Sequence, residues 1–191
     1  MNSFFALLFR QKYIKRWGLM RSITPETLAE HISEVAVVAH ALAVIGNTVY
    51  GKHYDPERVA ALALFHDAPE VITGDLPTPI KYFTPEIKRG YDMAEANAIE
   101  SLLSKLPDEL QGTYRSLLIP GVDDAESKKL VKIADRLCAY IKCLSEEVGG
   151  NREFRSAKAS IEKDLDALDS QELHYFRQHL LPAFSLTLDE M

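Results

Sequence analysis

Apolar residues recur at helical spacing along most of the chain. His31, Val35, Val38, Leu42 and Ile45 form one stripe. In front of it, Thr27-x-x-Glu30 is a capping box, in which two side chains satisfy the free N–H groups of a helix start. Asp55 followed by Pro56 reads as an N-cap with proline at the first helical position, and Val59, Leu62, Ala63 and His66 follow as a second stripe. Pro85-Glu86 opens a third helix through Tyr91, Ala94 and Ile99 towards Leu103, and Pro107 opens a fourth. Asp123-x-x-Glu126 is expected to cap a long fifth helix, with Leu130, Ala134, Leu137, Ile141 and Leu144 on one side and Gly149-Gly150 at its end. Two further helices are expected over roughly 152–167 and 170–180. No stretch alternates with period two. The pattern predicts an all-α, single-domain helical bundle spanning residues 1–191. The segment 73–81, Thr-Gly-Asp-Leu-Pro-Thr-Pro-Ile-Lys, is expected to be a rigid loop, because Pro77 and Pro79 each fix a backbone angle and Gly74 permits an unusual one.

Composition narrows this picture. A chain of 191 residues, 47% hydrophobic and 26% charged, is long enough to bury a core and is neither disordered nor collagen-like. With 22 basic against 28 acidic residues the formal net charge is −6, which argues against a nucleic-acid polymer as partner. The charge is uneven, however: residues 1–25 hold Arg10, Lys12, Lys15, Arg16 and Arg21 and no acid. No uninterrupted apolar run approaches the ~20 residues of a membrane span, and the apolar Phe4–Phe9 precedes its charges, the wrong order for a secretory signal. Cys138 and Cys143 lie roughly 140° apart on a helix at about 100° per residue, so neither a disulfide nor a shared metal is expected. Two unpaired thiols fit a reducing, cytoplasmic setting.

Chemistry concentrates at a few positions. His66 and Asp67 are adjacent at the end of an apolar helix, and Glu70 follows one turn later. An imidazole beside a carboxylate suits a divalent transition ion, and a charged Asp67 in apolar surroundings is costly unless something pairs with it. His31 stands in the first turn of another helix, and Asp135 in the middle of a third, where aspartate is a poor helix former. One His, then His-Asp, then Asp, each on its own helix, is how bundles assemble metal sites from facing helices. His40, His53, His174 and His179 fit no such pattern and read as structural or surface residues.

The ordered set His31…His66-Asp67…Asp135 resembles the signature of the HD-domain metal-dependent phosphohydrolases. Its local context is more specific: Ile14-Lys15-Arg16-Trp17, Glu30-His31, His66-Asp67-Ala68-Pro69-Glu70, the run Thr73 to Phe83, and Ala134-Asp135-x-Leu137-Cys138-Ala139-Tyr140-x-Lys142-Cys143-Leu144 together resemble the bacterial 5′-deoxynucleotidases of the YfbR type, nearly end to end. Against that pattern, Ala29 and Pro69 replace small hydroxyl residues.

The resemblance implies an HD-type bundle that removes phosphate from deoxyribonucleoside 5′-monophosphates and is selective against ribonucleotides. It implies His31, His66, Asp67 and Asp135 as ligands of one divalent ion, Mn²⁺, Co²⁺ or similar. Glu70, Asp75 and Arg16 become the catalytic candidates: Glu70 for the proton of the attacking water, Asp75 for the leaving oxygen or the sugar, Arg16 as phosphate clamp. Trp17 would pack against the deoxyribose and deny room to a 2′-hydroxyl. His31, Asp75, Pro77, Thr78, Pro79, Ile80 and Lys81 complete the substrate-binding set, and a homodimer is the expected assembly. Two alternatives remain open at this point: an HD phosphohydrolase acting on a cyclic or alarmone nucleotide, and a non-catalytic metal- or nucleotide-binding HD module.

Overall fold

The computed structural model describes residues 2–191. Among these residues ten α-helices succeed one another: α1 Phe4–Leu8, α2 Leu28–Tyr50, α3 Pro56–Phe65, α4 Glu70–Thr73, α5 Thr78–Lys81, α6 Pro85–Leu103, α7 Asp108–Leu118, α8 Ala125–Val148, α9 Arg155–Asp166 and α10 Gln171–His179, with short 3₁₀ turns among them. Among the described residues the only extended pairing is an isolated antiparallel bridge, Lys15 with Thr27. The all-α expectation holds.

Side-chain caps set four of the ten helix starts. Thr27 accepts from Glu30 N at 3.3 Å and its own N–H donates to Glu30 Oε2 at 2.7 Å, which completes the capping box of α2. Asp55 accepts from Arg58 N at 2.9 Å at the start of α3, Thr84 caps α6, and Ser170 caps α10. The long α8 departs from expectation. Asp123 and Glu126 form no capping box; residues 122–124 make a 3₁₀ turn, and the N-cap is Asp124 without a side-chain cap bond. Asp124 is engaged elsewhere, accepting from Arg58 Nε at 2.9 Å and Nη2 at 2.8 Å, so a charged tertiary partner displaces the cap. The 73–81 loop differs too. Gly74 takes φ 75° and ψ 161°, as its composition suggested, but Thr78–Lys81 then closes into one helical turn. Pro79 fits there because the first turn of a helix needs no N–H from it.

The bundle is centred on α2, α3 and α8, which pack against one another and receive α9 and α10. Val35, Leu42, Val59, Leu137 and Cys143 are fully buried in that core. By area, each large aliphatic side chain buried this way contributes about 1.5–3 kcal/mol. A smaller cluster packs Phe4 and Leu8 of α1 against Ala68, Leu102, Leu103 and Leu118, which ties the N-terminal helix to α6, α7 and the turn after α3. Taken as a whole helix, α2 is long and apolar enough to cross a membrane by length and composition. Here Val35, Ala39, Leu42 and Ala43 along it are fully buried against the other helices, so its apolar character is that of a bundle core. Both cysteines are free and buried.

Candidate active site

The site forms where α3 ends. The last residue of α3 is Phe65, and His66 occupies its C-cap with helical angles. Its N–H still reaches Ala63 O at 3.4 Å, and its ring Nδ1 donates to the same carbonyl at 2.7 Å. Turns through Ala68 and Pro69 lead into α4. Because the helix opens here, His66 and Asp67 project towards a common space: Asp67 Oδ2 lies 3.0 Å from His66 Nε2. The first turn of α2 supplies His31, fully buried, with Nε2 at 3.8 Å from Asp67 Oδ2 and 3.1 Å from Asp135 Oδ1 on α8. Candidate ligand atoms of His31, His66 and Asp67 lie within 4.8 Å of one another, and Asp135 joins them through His31.

This donor set fits a divalent ion. A carbonyl can only accept, so His66 Nδ1 carries a proton; Nε2 is buried without a hydrogen-bond partner and faces a carboxylate. Such a contact is favourable only when a proton or a cation lies between. Burial works against the charged ring, yet the Asp67 carboxylate and then Asp135 prevail and raise His66 to about 9. Asp135 is held below the usual carboxylate range despite burial, by the His31 hydrogen bond and the His66 charge. Two imidazoles and two carboxylates suit Zn²⁺, Mn²⁺, Co²⁺ or Fe²⁺ and nearly balance a double charge.

Around the cluster stand the other expected residues. Arg16 Nη1 lies 3.9 Å from Asp67 Oδ2, while Nε binds Glu26 Oε2 at 3.0 Å. Trp17 Nε1 donates to the same Glu26 oxygen at 2.7 Å, and the indole packs against Phe154 at a 57° tilt with ring centres 5.2 Å apart. Glu70 is 6% exposed and its Oε2 has no partner. Burial, then the Asp67 and Asp75 charges, push its carboxyl up to about 9. Asp75, part-buried after Gly74, is also raised by burial, with Arg16 opposing. Lys81 turns to α6: its Nζ is 3.2 Å from Glu95 and 4.2 Å from the Tyr91 ring centre, though its charge still reaches Glu70. Pro77 is part-buried; Thr78, Pro79 and Ile80 are exposed and make no hydrogen bond or ion pair to the cluster among the described residues.

Two participants escaped the sequence reading. Glu26 holds both Arg16 and Trp17, and a spacing of ten residues across an irregular loop carries no periodic signal for it. Glu146, with Lys142, fastens the loop after Trp17 to α8. A groove of about 510 Å³ is lined by Glu26, Glu30, Glu34, Cys138 and Lys142 among others, but by none of the four ligand candidates. Three carboxylates there repel a phosphate, whereas Arg16 beside the His–Asp cluster attracts one.

Comparison with known proteins is consistent with this geometry. A family model described as 5′-deoxynucleotidase YfbR-like matches residues 3–184. The chain belongs to the YfbR-like family. A 5′-deoxynucleotidase of Vibrio cholerae is 51% identical over 190 residues, covering 100% of this chain and 98% of that protein. One from Yersinia pestis is 51% identical over 191 residues, covering 100% and 97%. Among solved structures, an HD-domain phosphohydrolase from Listeria innocua superposes with a TM-score of 0.83 at 24% identity, over 95% of this chain and 88% of that one. A cyanophage S-2L HD phosphohydrolase, bound to dA and one catalytic Zn²⁺ ion, superposes with a TM-score of 0.61 at 20% identity, over 93% and 95%. Both likenesses are likenesses of fold.

Proposed function

We propose that this YfbR-like protein is a 5′-deoxynucleotidase, hydrolysing deoxyribonucleoside 5′-monophosphates to deoxyribonucleosides and phosphate and discriminating against ribonucleotides. The observation that carries the reading is the position of Arg16, with its guanidinium Nη1 3.9 Å from Asp67 in the His31–His66–Asp67–Asp135 cluster. A phosphate clamp beside a cradle for a divalent ion suits hydrolysis of a phosphate ester. The names of the relatives, and the dA and Zn²⁺ of the cyanophage protein, support it.

When bound, the ion supplies a Lewis acid that lowers the pKa of water and polarises the phosphoryl group. The chain's own residues do the rest. Arg16 orients the phosphate with its Nη groups, since Nε is taken by Glu26. Glu70, with an unpartnered Oε2 and a carboxyl raised by burial and by Asp67 and Asp75, would take the proton of the attacking water once a bound cation had lowered it. Asp75, on the loop that Gly74 sets, serves the leaving sugar oxygen, and Trp17 excludes the 2′-hydroxyl. Lys81 and the Pro77–Ile80 segment line the nucleotide, which would draw Lys81 away from Glu95. Mn²⁺, Co²⁺ or a similar ion, a homodimer and a cytoplasmic location, with neither membrane nor nucleic-acid polymer as partner, complete the proposal. The test is inorganic phosphate release across all ribo- and deoxyribonucleoside monophosphates with each metal. Release from dAMP or dUMP far above AMP is expected; no release with any divalent metal would favour a binding module, and preference for a cyclic or alarmone nucleotide would favour the other phosphohydrolases of this fold.

A further inference from the structure

Arg16 and Trp17 converge on one atom. Glu26 Oε2 accepts from Arg16 Nε at 3.0 Å and from Trp17 Nε1 at 2.7 Å. The Glu26 side chain is nearly buried, and its backbone carbonyl accepts from Arg16 N at 3.0 Å. Between them, residues 17–25 form a loop closed at its base by the Lys15–Thr27 bridge and by Leu28 N donating to Ile14 O at 2.9 Å. Trp17 sits at φ 58°, the only non-glycine at positive φ among the described residues. A bulky residue there is strained and persists only where its surroundings over-determine it.

We propose that Glu26 is a positioning residue for the reaction: through one carboxylate oxygen it presents Arg16 to the phosphate and Trp17 to the deoxyribose. The inference rests on the nucleotidase reading above. Its physical basis is competition for the guanidinium. Asp67 and Asp75 also attract Arg16, and Asp67 is already within 3.9 Å of Nη1. Glu26 engages Nε and so keeps the Nη groups turned to the ion cradle; without it, the guanidinium swings onto the acids that the substrate needs free. The indole N–H shares the same oxygen, so the phosphate clamp and the sugar wall are set together by one charged acceptor. Glu26 touches neither substrate nor ion in this scheme, which separates it from Glu70 and Asp75.

Glu26→Gln tests this in the metal-loaded protein. It is expected to raise the KM for dAMP about tenfold with a smaller change in kcat, as loss of one charge-assisted anchor would. The preference for dAMP over AMP in kcat/KM should fall by a similar factor. Trp17 is the only tryptophan, so acrylamide quenching of its fluorescence reports how exposed the indole is, and it should increase as the charged acceptor that holds the ring is replaced by a neutral one. Glu153→Gln is the control: it frees Arg21 at the outer end of the same loop, where the pair is 2.7 Å apart, and should leave KM, preference and quenching as they were. Trp17→Phe removes the indole donor together with part of the ring and keeps the question open to test should Glu26→Gln fold poorly; it should reduce the dAMP preference in kcat/KM. Active Glu26→Gln with KM, preference and quenching within about twofold of wild type would overturn the proposal alone, as would Trp17→Phe with its preference intact. Wild-type protein inert towards every monophosphate would overturn the nucleotidase reading and this inference with it.

Discussion

Glu146→Gln offers a prediction whose size follows from the structure. Glu146 lies on α8, 2% exposed, and accepts from Ile23 N at 2.8 Å, Thr24 N at 3.1 Å, Asn151 Nδ2 at 2.7 Å and the Lys142 ammonium. Burial alone disfavours its charge, but these donors outweigh it and bring the carboxyl from 4.5 down to about 2. At about 1.4 kcal/mol per pKa unit, that shift stabilises the folded, ionised form by about 3 kcal/mol. Glutamine has the shape of the protonated acid, so the substitution should cost about the same at pH 7. Breaking a buried ion pair from one side gives a matching range of about 3–5 kcal/mol, here because Lys142 is left buried without its counter-charge. For a chain of this length the melting temperature should fall by about 6–12 °C. The pH dependence carries the sign. A depressed carboxyl contributes fully above its unfolded pKa, and loses that contribution as pH falls from 4.5 towards 2. The gap between wild type and Glu146→Gln should therefore close to about half by pH 3. Urea titrations followed by circular dichroism at pH 7 and pH 3 measure both quantities. A gap under about 1 kcal/mol at pH 7, the range of an exposed pair, would refute the reasoning; so would an equal gap at the two pH values.

The site yields further predictions. Asp135→Ala should lose the divalent ion, read by elemental analysis of the purified protein, whereas Glu70→Ala should keep the ion and release no phosphate; activity retained in Glu70→Ala would sink its proton-transfer role. Arg16→Lys should raise the KM for dAMP at least about tenfold, because an ammonium cannot reach Glu26 and the phosphate from one planar fork. Chelator-treated protein should lose stability as pH rises from about 6.5 through about 9. His66 is raised to about 9, so its contribution is complete below its unfolded value and disappears as the ring deprotonates, and Glu70, kept neutral up to about 9, works in the same direction. Melting curves across that range check the sign, and an ion-loaded sample should show a smaller decline. Adding the metal at pH 7.5 should release protons from His66, measurable with a pH indicator in weak buffer.

Much of this protein was legible in its sequence because helix starts are local events. Thr27 with Glu30, Asp55 before Pro56 and Ser170 act within a turn of their own positions, so the order and approximate bounds of the main helices followed from spacing. The identities of the ligand candidates were legible as well: a His-Asp doublet at an apolar helix end and an aspartate in mid-helix are costly unless they have partners. The partners themselves depended on packing. His31 and Asp135 meet across 104 residues only because α2 and α8 lie side by side. Asp124 binds Arg58 instead of capping α8, Lys81 turns to Glu95, and Glu26 gathers Arg16 and Trp17 onto one oxygen. In each case several partners were chemically possible, and which of them stood within reach was set by the placement of helices far apart in the chain. The sequence by itself picked out His31, His66, Asp67 and Asp135 as candidate ligands and most of the helices that bring them in, but carried no signal for Glu26. The tertiary structure alone decided which of them converge, because ion pairs and ligand sets depend on distances of a few ångströms that no local periodicity encodes.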